Sequence, residues 1–337
     1  MVCTAKYPIQ TFIELGRQLT VSLDNGELTP VIEQAAKENV WFTPESIEYA
    51  IRAICNDMLR PAQLEQWLAH YPGPTNSIRR RVGIIMAGNI PLVGFFDLMC
   101  VLLCGHICLY KPSSKDRVLI DHIVQMLLHI NPELSLHKME ASDSLDAIIA
   151  TGSDNTNRYF RSEYHDIPAL IRGSRHSIAV LNGEESFAEL QKLGDDIFTY
   201  FGLGCRNVSQ IFVPATFDVT SLIESLKKHR IAFPPFLHNY RQARALNTML
   251  NRNYIDGGFF VLREGDEPSN RISEITLTRY NTLTDVESWI KQHDNQIQCC
   301  VSICIHHPRA VAFGLAQHPT PEDYPDGIDV INFLQGI

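Results

Sequence analysis

The sequence predicts an α/β protein built on parallel sheets, and three observations carry that prediction. From residue 81 onward, short apolar runs alternate with amphipathic runs of helical spacing. The connections are short, so each strand–helix–strand step reads as a crossover between parallel strands, in a sheet covered on both faces. The length of 337 residues suits two domains or one large α/β unit with ample surface to bury.

Each element follows in order. Residues 1 to about 80 read as mostly helical. Ser46 to Leu59 sets Ile47, Ala50, Ile51, Ile54 and Met58 at helical spacing, with Pro44 and Ser46 as start signals, and Pro61 to His70 continues in that style. Tyr71-Pro-Gly-Pro74 is a break. Arg81–Met86 is a buried strand, Ala87–Pro91 a turn, Leu92–Leu103 a buried helix, and Ile107–Lys111 a strand stopped by Pro112. Asp116–His129 is helical, Ala147–Thr151 a strand closed by Gly152-Ser153, and Asn155–Tyr164 a helix. Ser177–Leu181 is a strand, Ser186–Tyr200 an amphipathic helix, Gln210–Val213 a strand and Val219–His229 a helix. A looser stretch at Pro234-Pro235 precedes a helix over Asn239–Asn251, and strands follow at Phe259–Leu262, Glu274–Leu277 and Gln298–Ile305.

Charge and cysteine usage narrow the function classes. A net charge of −9 argues against a phosphate-tracking surface, so no nucleic-acid partner is expected. Nine cysteines without even spacing, and an N-terminal run (Met1 to Pro8) without a long apolar segment, point to free thiols in a reducing cytoplasm. Between Val82 and Tyr110 only Asp97 and His106 can carry charge, which raises a membrane span; Asn89, Pro91 and four glycines break the stretch into strand, turn and helix instead. Cys100, Cys104 and Cys108 recur every four residues, as do Cys300 and Cys304, but no CxxC pair exists and the neighbours are aliphatic. Buried packing is the expectation, and no metal site.

The segment that carries chemistry is Phe201-Gly-Leu-Gly-Cys205-Arg-Asn-Val-Ser209. A thiol on a glycine-flanked turn is accessible to substrate where a core cysteine is not. Upstream, Asn89 is the strongly polar side chain in an apolar stretch, and a thiol with an amide donor are two parts of acyl-transfer chemistry on a thioester or aldehyde. No GxGxxG follows the first strand. A nucleotide still has places to bind at strand ends: Lys111, Ser113 and Ser114 can donate to ribose hydroxyls or a 2′-phosphate, and Gly152-Ser153 before a helix offers backbone N–H groups to a pyrophosphate. Taken singly, a surface charge and a plain turn are the favoured readings of Lys111 and Gly152. Arg172, Arg175 and His176 read either as a phosphate contact or as a solvated basic loop. Arg206 reads as a cation lowering the Cys205 pKa or as a partner of Asp195 or Asp196.

In order, Ala87-Gly-Asn-Ile-Pro91, Gly105 with Lys111-Pro-Ser-Ser114, Thr151-Gly-Ser153 and Gly202-x-Gly-Cys205 resemble the signposts of the aldehyde dehydrogenase superfamily. More closely they resemble its acyl-CoA reductase family, which includes the fatty acid reductase of bacterial luminescence. Phe313-Gly-x-Ala-Gln317 and Asp323-Tyr-Pro-Asp-Gly-Ile-Asp329 are similar to the ending of short bacterial members, so the resemblance covers roughly residues 80–337. It implies an aldehyde dehydrogenase-like fold: a parallel-sheet cofactor domain with a helical N-terminal part (1–178), an α/β catalytic domain (179–317) and a C-terminal tail (318–337). It also implies Cys205 as nucleophile, Asn89 as the amide joining the Cys205 N–H in an oxyanion hole, Lys111 at the adenosine ribose and Gly152 and Ser153 at the pyrophosphate.

One departure refines the expected reaction. Hydrolytic members carry a water-activating glutamate, and Leu170–Ser177 places Ile171 there, so the acyl-enzyme should exchange with a thiol such as coenzyme A. Glu264 is the nearest candidate for the carboxylate that holds the nicotinamide ribose. The resemblance thus implies NADPH- or NADH-dependent reduction of an acyl-CoA to an aldehyde, NADPH being favoured by Lys111, Ser113 and Ser114. The alternatives are an acyl phosphate reductase and a non-reducing acyl carrier or acyltransferase partner. A homodimer or an acyl-supplying protein is the expected company.

Overall fold

The computed structural model describes residues 8–73 and 78–337. Met1–Tyr7, read above for a leader segment, and Pro74 of the expected break lie outside the described residues. The chain forms two compact units, one running to Ser174 and including Pro319–Ile337, the other spanning Arg175–His318.

The first unit opens with α1 (Ile9–Asp24), α2 (Thr29–Glu38), α3 (Pro44–Ala53) and α4 (Pro61–Leu68). Phe12, Leu15, Ile47, Leu64 and Trp67 recur at helical spacing and are buried, so these helices share the core of the sheet that follows. That sheet is built from β1 (Arg81–Ile85), β2 (Ile107–Lys111), β3 (Leu136–Lys138), β4 (Ala147–Thr151) and β5 (Ala169–Arg172), with α5 (Phe95–Leu103), α6 (Arg117–Ile130) and α7 (Asp154–Glu163) between strands. The strand order is β3-β2-β1-β4-β5 and every pairing is parallel. The order reverses between β1 and β4, so the crevice outside their carboxyl ends is where a doubly wound sheet receives ligands. Every residue of α5 is buried, Asp97 included, so the nearly uncharged stretch is an interior helix. Among the described residues no helix is long and apolar enough to cross a membrane.

The second unit contains β6 (His176–Val180), α8 (Phe187–Phe198), β7 (Val208–Pro214), α9 (Val219–Leu226), α10 (Pro234–Met249), β8 (Tyr254–Asp256), β9 (Val261–Glu264), β10 (Glu274–Tyr280), α11 (Leu283–His293), β11 (Ile297–Val301) and β12 (Ala310–Val311). Its sheet runs β12-β11-β6-β7-β10-β9-β8, parallel except where β8 meets β9. The stretch expected to be loose at Pro234-Pro235 is the first turn of α10, where proline's fixed φ and missing N–H are tolerated.

The chain then returns to the first unit. In α12 (Val330–Gln335), Val330, Ile331 and Leu334 are fully buried in the core that also holds α5. Trp67 Nε1 donates to Tyr324 Oη (2.6 Å), Tyr71 Oη bonds Tyr324 Oη and donates to Asp329 Oδ2 (2.8 Å), and a ring nitrogen of His106 meets the Leu334 carbonyl (2.9 Å). Residues 319–337, set apart above as a tail, are integral to this unit, and its boundary with the second falls at Ser174–Arg175.

Candidate active site

Cys205 sits at the amino-terminal edge of the second sheet, on the turn joining α8 to β7. A capping box of Ser186 and Glu189 starts α8. Past its end, Tyr200 (φ 53°), Phe201 (φ 60°) and Gly202 (φ 77°) lie consecutively in the left-handed region. Glycine adopts it freely; each aromatic costs about 1–2 kcal/mol there, so surrounding contacts must hold the turn. Phe201 stacks on Phe233 at 4.7 Å. Asn207, 3 % exposed, does more: its Oδ1 accepts the Gly204 N–H (2.8 Å) and its Nδ2 reaches the carbonyls of Asp196 (3.1 Å), Ile197 (3.2 Å) and Thr199 (2.8 Å), helix-end acceptors without an intrahelical donor. Ser177 Oγ, fully buried, donates to the Cys205 carbonyl (2.9 Å) and accepts the Cys299 N–H (3.1 Å).

Among the described cysteines Cys205 alone is exposed. Burial pushes the thiol of Cys104 up to about 12 and raises those of Cys100, Cys108 and Cys300 as well. Those four pack as core side chains, as their aliphatic neighbours predicted, whereas Cys304, expected to be buried with them, is half-buried; a thiol held protonated is a poor nucleophile. Among the described residues no group of three or more His, Cys, Asp or Glu is placed to hold a metal ion. Close by, the buried Asp196 carboxylate accepts the N–H groups of Gly314 (2.7 Å) and Ala316 (2.8 Å), and burial pushes it up to about 7. Arg206 Nε donates to the Ala316 carbonyl, so this guanidinium braces the same backbone segment, in place of the pairing with Asp195 or Asp196 that is one of its two readings from sequence.

In the first unit the predicted nucleotide-binding residues and Asn89 gather at one sheet edge. Asn89 follows β1, Lys111, Ser113 and Ser114 end or follow β2, and Gly152 and Ser153 follow β4. Asn89, Lys111, Ser114 and Ser153 are exposed. A Cβ on Gly88 would fall 2.5 Å from Ser113 Oγ, so glycine is what allows the Asn89 turn to lie against the β2 end. Leu92, also left-handed (φ 58°), gives its N–H to the buried Asp116 (2.9 Å), whose carboxyl burial raises well above the ordinary range. Ser153 Oγ caps α7 by accepting from Thr156 N–H (3.4 Å), the Ser153 carbonyl accepts the Asn157 N–H (2.8 Å), and the Gly152 N–H, expected to be offered to a ligand, donates instead to the Arg172 carbonyl (3.2 Å), which leaves the Ser153 N–H as the donor of this turn.

The other candidate residues fall as follows. Arg172 is in neither a solvated loop nor a phosphate contact: it ends β5, is 4 % exposed, and its Nη1 donates to both oxygens of Asp97 (2.8 and 2.6 Å). Ile171 packs with Phe160, Ile148 and Ala150. Arg175 Nη1 donates to the Ile297 carbonyl (3.1 Å), and His176, in β6 beside Trp289, is lowered to about 4 by burial and by His293. Glu264 is not brought to the cysteine turn. It lies at the carboxyl end of β9, facing Arg279 (3.4 Å), and the registers Glu264↔Leu277 and Leu277↔Ile211 set it level with Ile211. That is about 10 Å up the sheet from Val208 and two strands across. Asn207, Ser177 and Asp116 went unnoticed in the sequence, because their roles are backbone bonds made after folding.

Two parallel-sheet units, one with a switch-point crevice and one presenting an exposed thiol, define an aldehyde dehydrogenase-type architecture. Solved structures share it. An oxidoreductase from Marinobacter aquaeolei superposes with a TM-score of 0.65 at 12% identity, covering 98% of this chain and 85% of that one. Rhodopseudomonas palustris propionaldehyde dehydrogenase, with bound CoA and an acylated cysteine, gives 0.58 at 15% (87% and 77%). An engineered glycolyl-CoA reductase with bound NADP+ gives 0.58 at 16% (87% and 77%). No curated protein matches the sequence. Residues 29–264, well over half of the chain, match the acyl-CoA reductase (LuxC) family; the chain belongs to that family and is an oxidoreductase. The match begins within the N-terminal helices, ahead of where the motifs suggested, and the similar C-terminal segments fall outside it.

Proposed function

We propose that this protein reduces an acyl-CoA thioester, or a related activated acyl group, to an aldehyde with NADPH or NADH, through an acyl group held on Cys205. The observation that carries the reading is the exposure of Cys205 on an anchored turn while the other described thiols are buried or half-buried. Family membership supports the acyl-CoA substrate, the CoA-bound, acylated propionaldehyde dehydrogenase supports the covalent step, and the NADP+-bound glycolyl-CoA reductase supports the cofactor.

The thiolate of Cys205 attacks the thioester carbonyl, and the Cys205 N–H and the Asn89 amide are assigned as donors to the developing oxyanion. Coenzyme A departs as its thiolate and takes a proton, leaving the acyl group on sulfur. The reduced nicotinamide, when bound, supplies hydride to the acyl carbon. The thiohemiacetal alkoxide on Cys205 then collapses, re-forming the carbonyl, releasing the aldehyde and expelling the Cys205 thiolate. Exposed Lys111 and Ser114, with Ser113, fit ribose or 2′-phosphate oxygens, and at the Gly152-Ser153 turn the Ser153 N–H fits a pyrophosphate oxygen. Residues up to Ser174 are the cofactor unit in this reading, Arg175–His318 the catalytic one, and thiols in this number suit the cytoplasm.

The test is incubation with an acyl-CoA, mass analysis of the Cys205 peptide, then addition of NADPH. An adduct that disappears as NADPH is oxidised is the expected result, and Cys205→Ala should abolish both. An adduct that persists indicates a carrier or transferase. Absence of an adduct turns the reading toward acyl phosphates.

A further inference from the structure

We infer that Asn207 is the positioning residue of the catalytic turn, an assignment that rests on the reading of Cys205 as the nucleophile. The backbone around Cys205 is anchored from below, at the Leu203–Gly204 peptide one step before it and at the Cys205–Arg206 peptide just after it. Gly204 N–H is held by Asn207 Oδ1 (2.8 Å) and the Cys205 carbonyl by Ser177 Oγ (2.9 Å). The Asn207 backbone N–H closes the same turn onto the Gly204 carbonyl (3.0 Å). On its other side the carboxamide ties this turn to the carbonyls that end α8, at Asp196, Ile197 and Thr199. The segment between is the run of three left-handed residues, Tyr200 to Gly202, a conformation that persists only when its surroundings impose it.

A carboxamide suits this place because it offers an acceptor and two donors together while carrying no charge. The side chain is nearly fully buried and touches no reacting atom, so its effect passes through the backbone. It fixes the Leu203–Gly204 peptide, one step before the Gly204–Cys205 peptide, and so limits the direction in which that next unit presents the Cys205 N–H, one of the two donors assigned to the oxyanion. Alkylation of the thiol builds no oxyanion, whereas acylation from a thioester does. The two reactions at the same sulfur therefore separate positioning of the N–H from exposure and ionisation of the thiol.

The experiment measures both on the full chain without added nucleotide: Cys205 acylation by an acyl-CoA, followed by mass, and Cys205 alkylation by iodoacetamide, each from pH 6 to 8. For Asn207→Ala the acylation rate should fall about 100-fold, the scale of one lost oxyanion donor, while alkylation and its pH midpoint stay within about threefold. Asn207→Asp keeps the acceptor for Gly204, but its carboxylate faces three carbonyls and only its neutral form donates to them. Its acylation-to-alkylation ratio should climb as pH falls, while the parent's ratio stays flat; this variant is read even if Asn207→Ala does not fold. Acylation and alkylation falling together, or a ratio within about threefold of the parent in the folded variants, overturns the assignment. A parent protein that takes no acyl group on Cys205 removes the nucleophile reading itself, which is a different result.

Discussion

The turn that carries Asn89 and the turn that carries Cys205 both contain bulky residues in left-handed backbone, Leu92 in one and Tyr200 with Phe201 in the other. Each is tied down by a buried polar side chain, Asn207 with Ser177 beside it in the cysteine turn and Asp116 in the other, and the chemistry of Asn207 and Asp116 differs. Asn207 is neutral and makes four side-chain contacts to the backbone around its turn. Asp116 is an acid that receives one N–H, from Leu92, and keeps a second buried oxygen without a partner. A buried amide with its bonds made is insensitive to pH, while a buried carboxyl with one donor resists ionisation and carries a pH dependence into the fold. The Asn207 ties are therefore insensitive to pH, although Asp196 beside them is pushed up to about 7, and the buried Asp116 lowers the stability of the fold around the Asn89 turn as it ionises.

Three substitutions break or sharpen this contrast. The largest effect is expected of Asn207→Ala, which leaves an N–H and several helix-end carbonyls without their partner; denaturant unfolding should show a loss of about 2–3 kcal/mol. Asp116→Asn should act with the opposite sign and depend on pH. The folded pKa of Asp116 lies above its unfolded value of 3.8, so the acid's contribution is complete below that value and is lost as pH rises through the raised one. At pH 8 the Asn variant should exceed the parent by on the order of 1 kcal/mol, with the gain vanishing toward pH 4 in urea titrations. A variant less stable than the parent at pH 8 would show that the Asp116 carboxylate is well solvated and the contrast mistaken. Smallest is Gly202→Ala, which places a Cβ at φ +77° with no clash closer than 3.5 Å and should lower stability by about 1 kcal/mol in a thermal scan.

The strands legible in the sequence are β1, β2, β4, β6 and β7, whose apolar runs end at or near glycine or proline, and β9, β10 and β11, which fall at the runs expected near Phe259–Leu262, Glu274–Leu277 and Gln298–Ile305. β5 escaped because it ends in Arg172, and a buried arginine makes sense only beside Asp97, which lies far away in sequence. β3 is three residues long, too short for a period to register. Cys205 stood out by its flanking glycines and Asn89 by its apolar surroundings. Asn207 did not, because an asparagine after a glycine-rich run reads as an ordinary turn residue. Glu264 was chosen by proximity in sequence, but which end of a strand a residue occupies is set by register, and register placed it away from the cysteine.

The return of residues 319–337 to the first unit has a consequence for synthesis. A ribosome releases the strands of the first sheet early, yet α12, Tyr324 and Asp329, which finish that unit's core, emerge after the whole of the second unit. Arg175–His318 is continuous in the chain and can close while translation proceeds. The nascent first unit meanwhile waits with the α5 surface that Val330, Ile331 and Leu334 will cover still open, so the part made first is the part completed last.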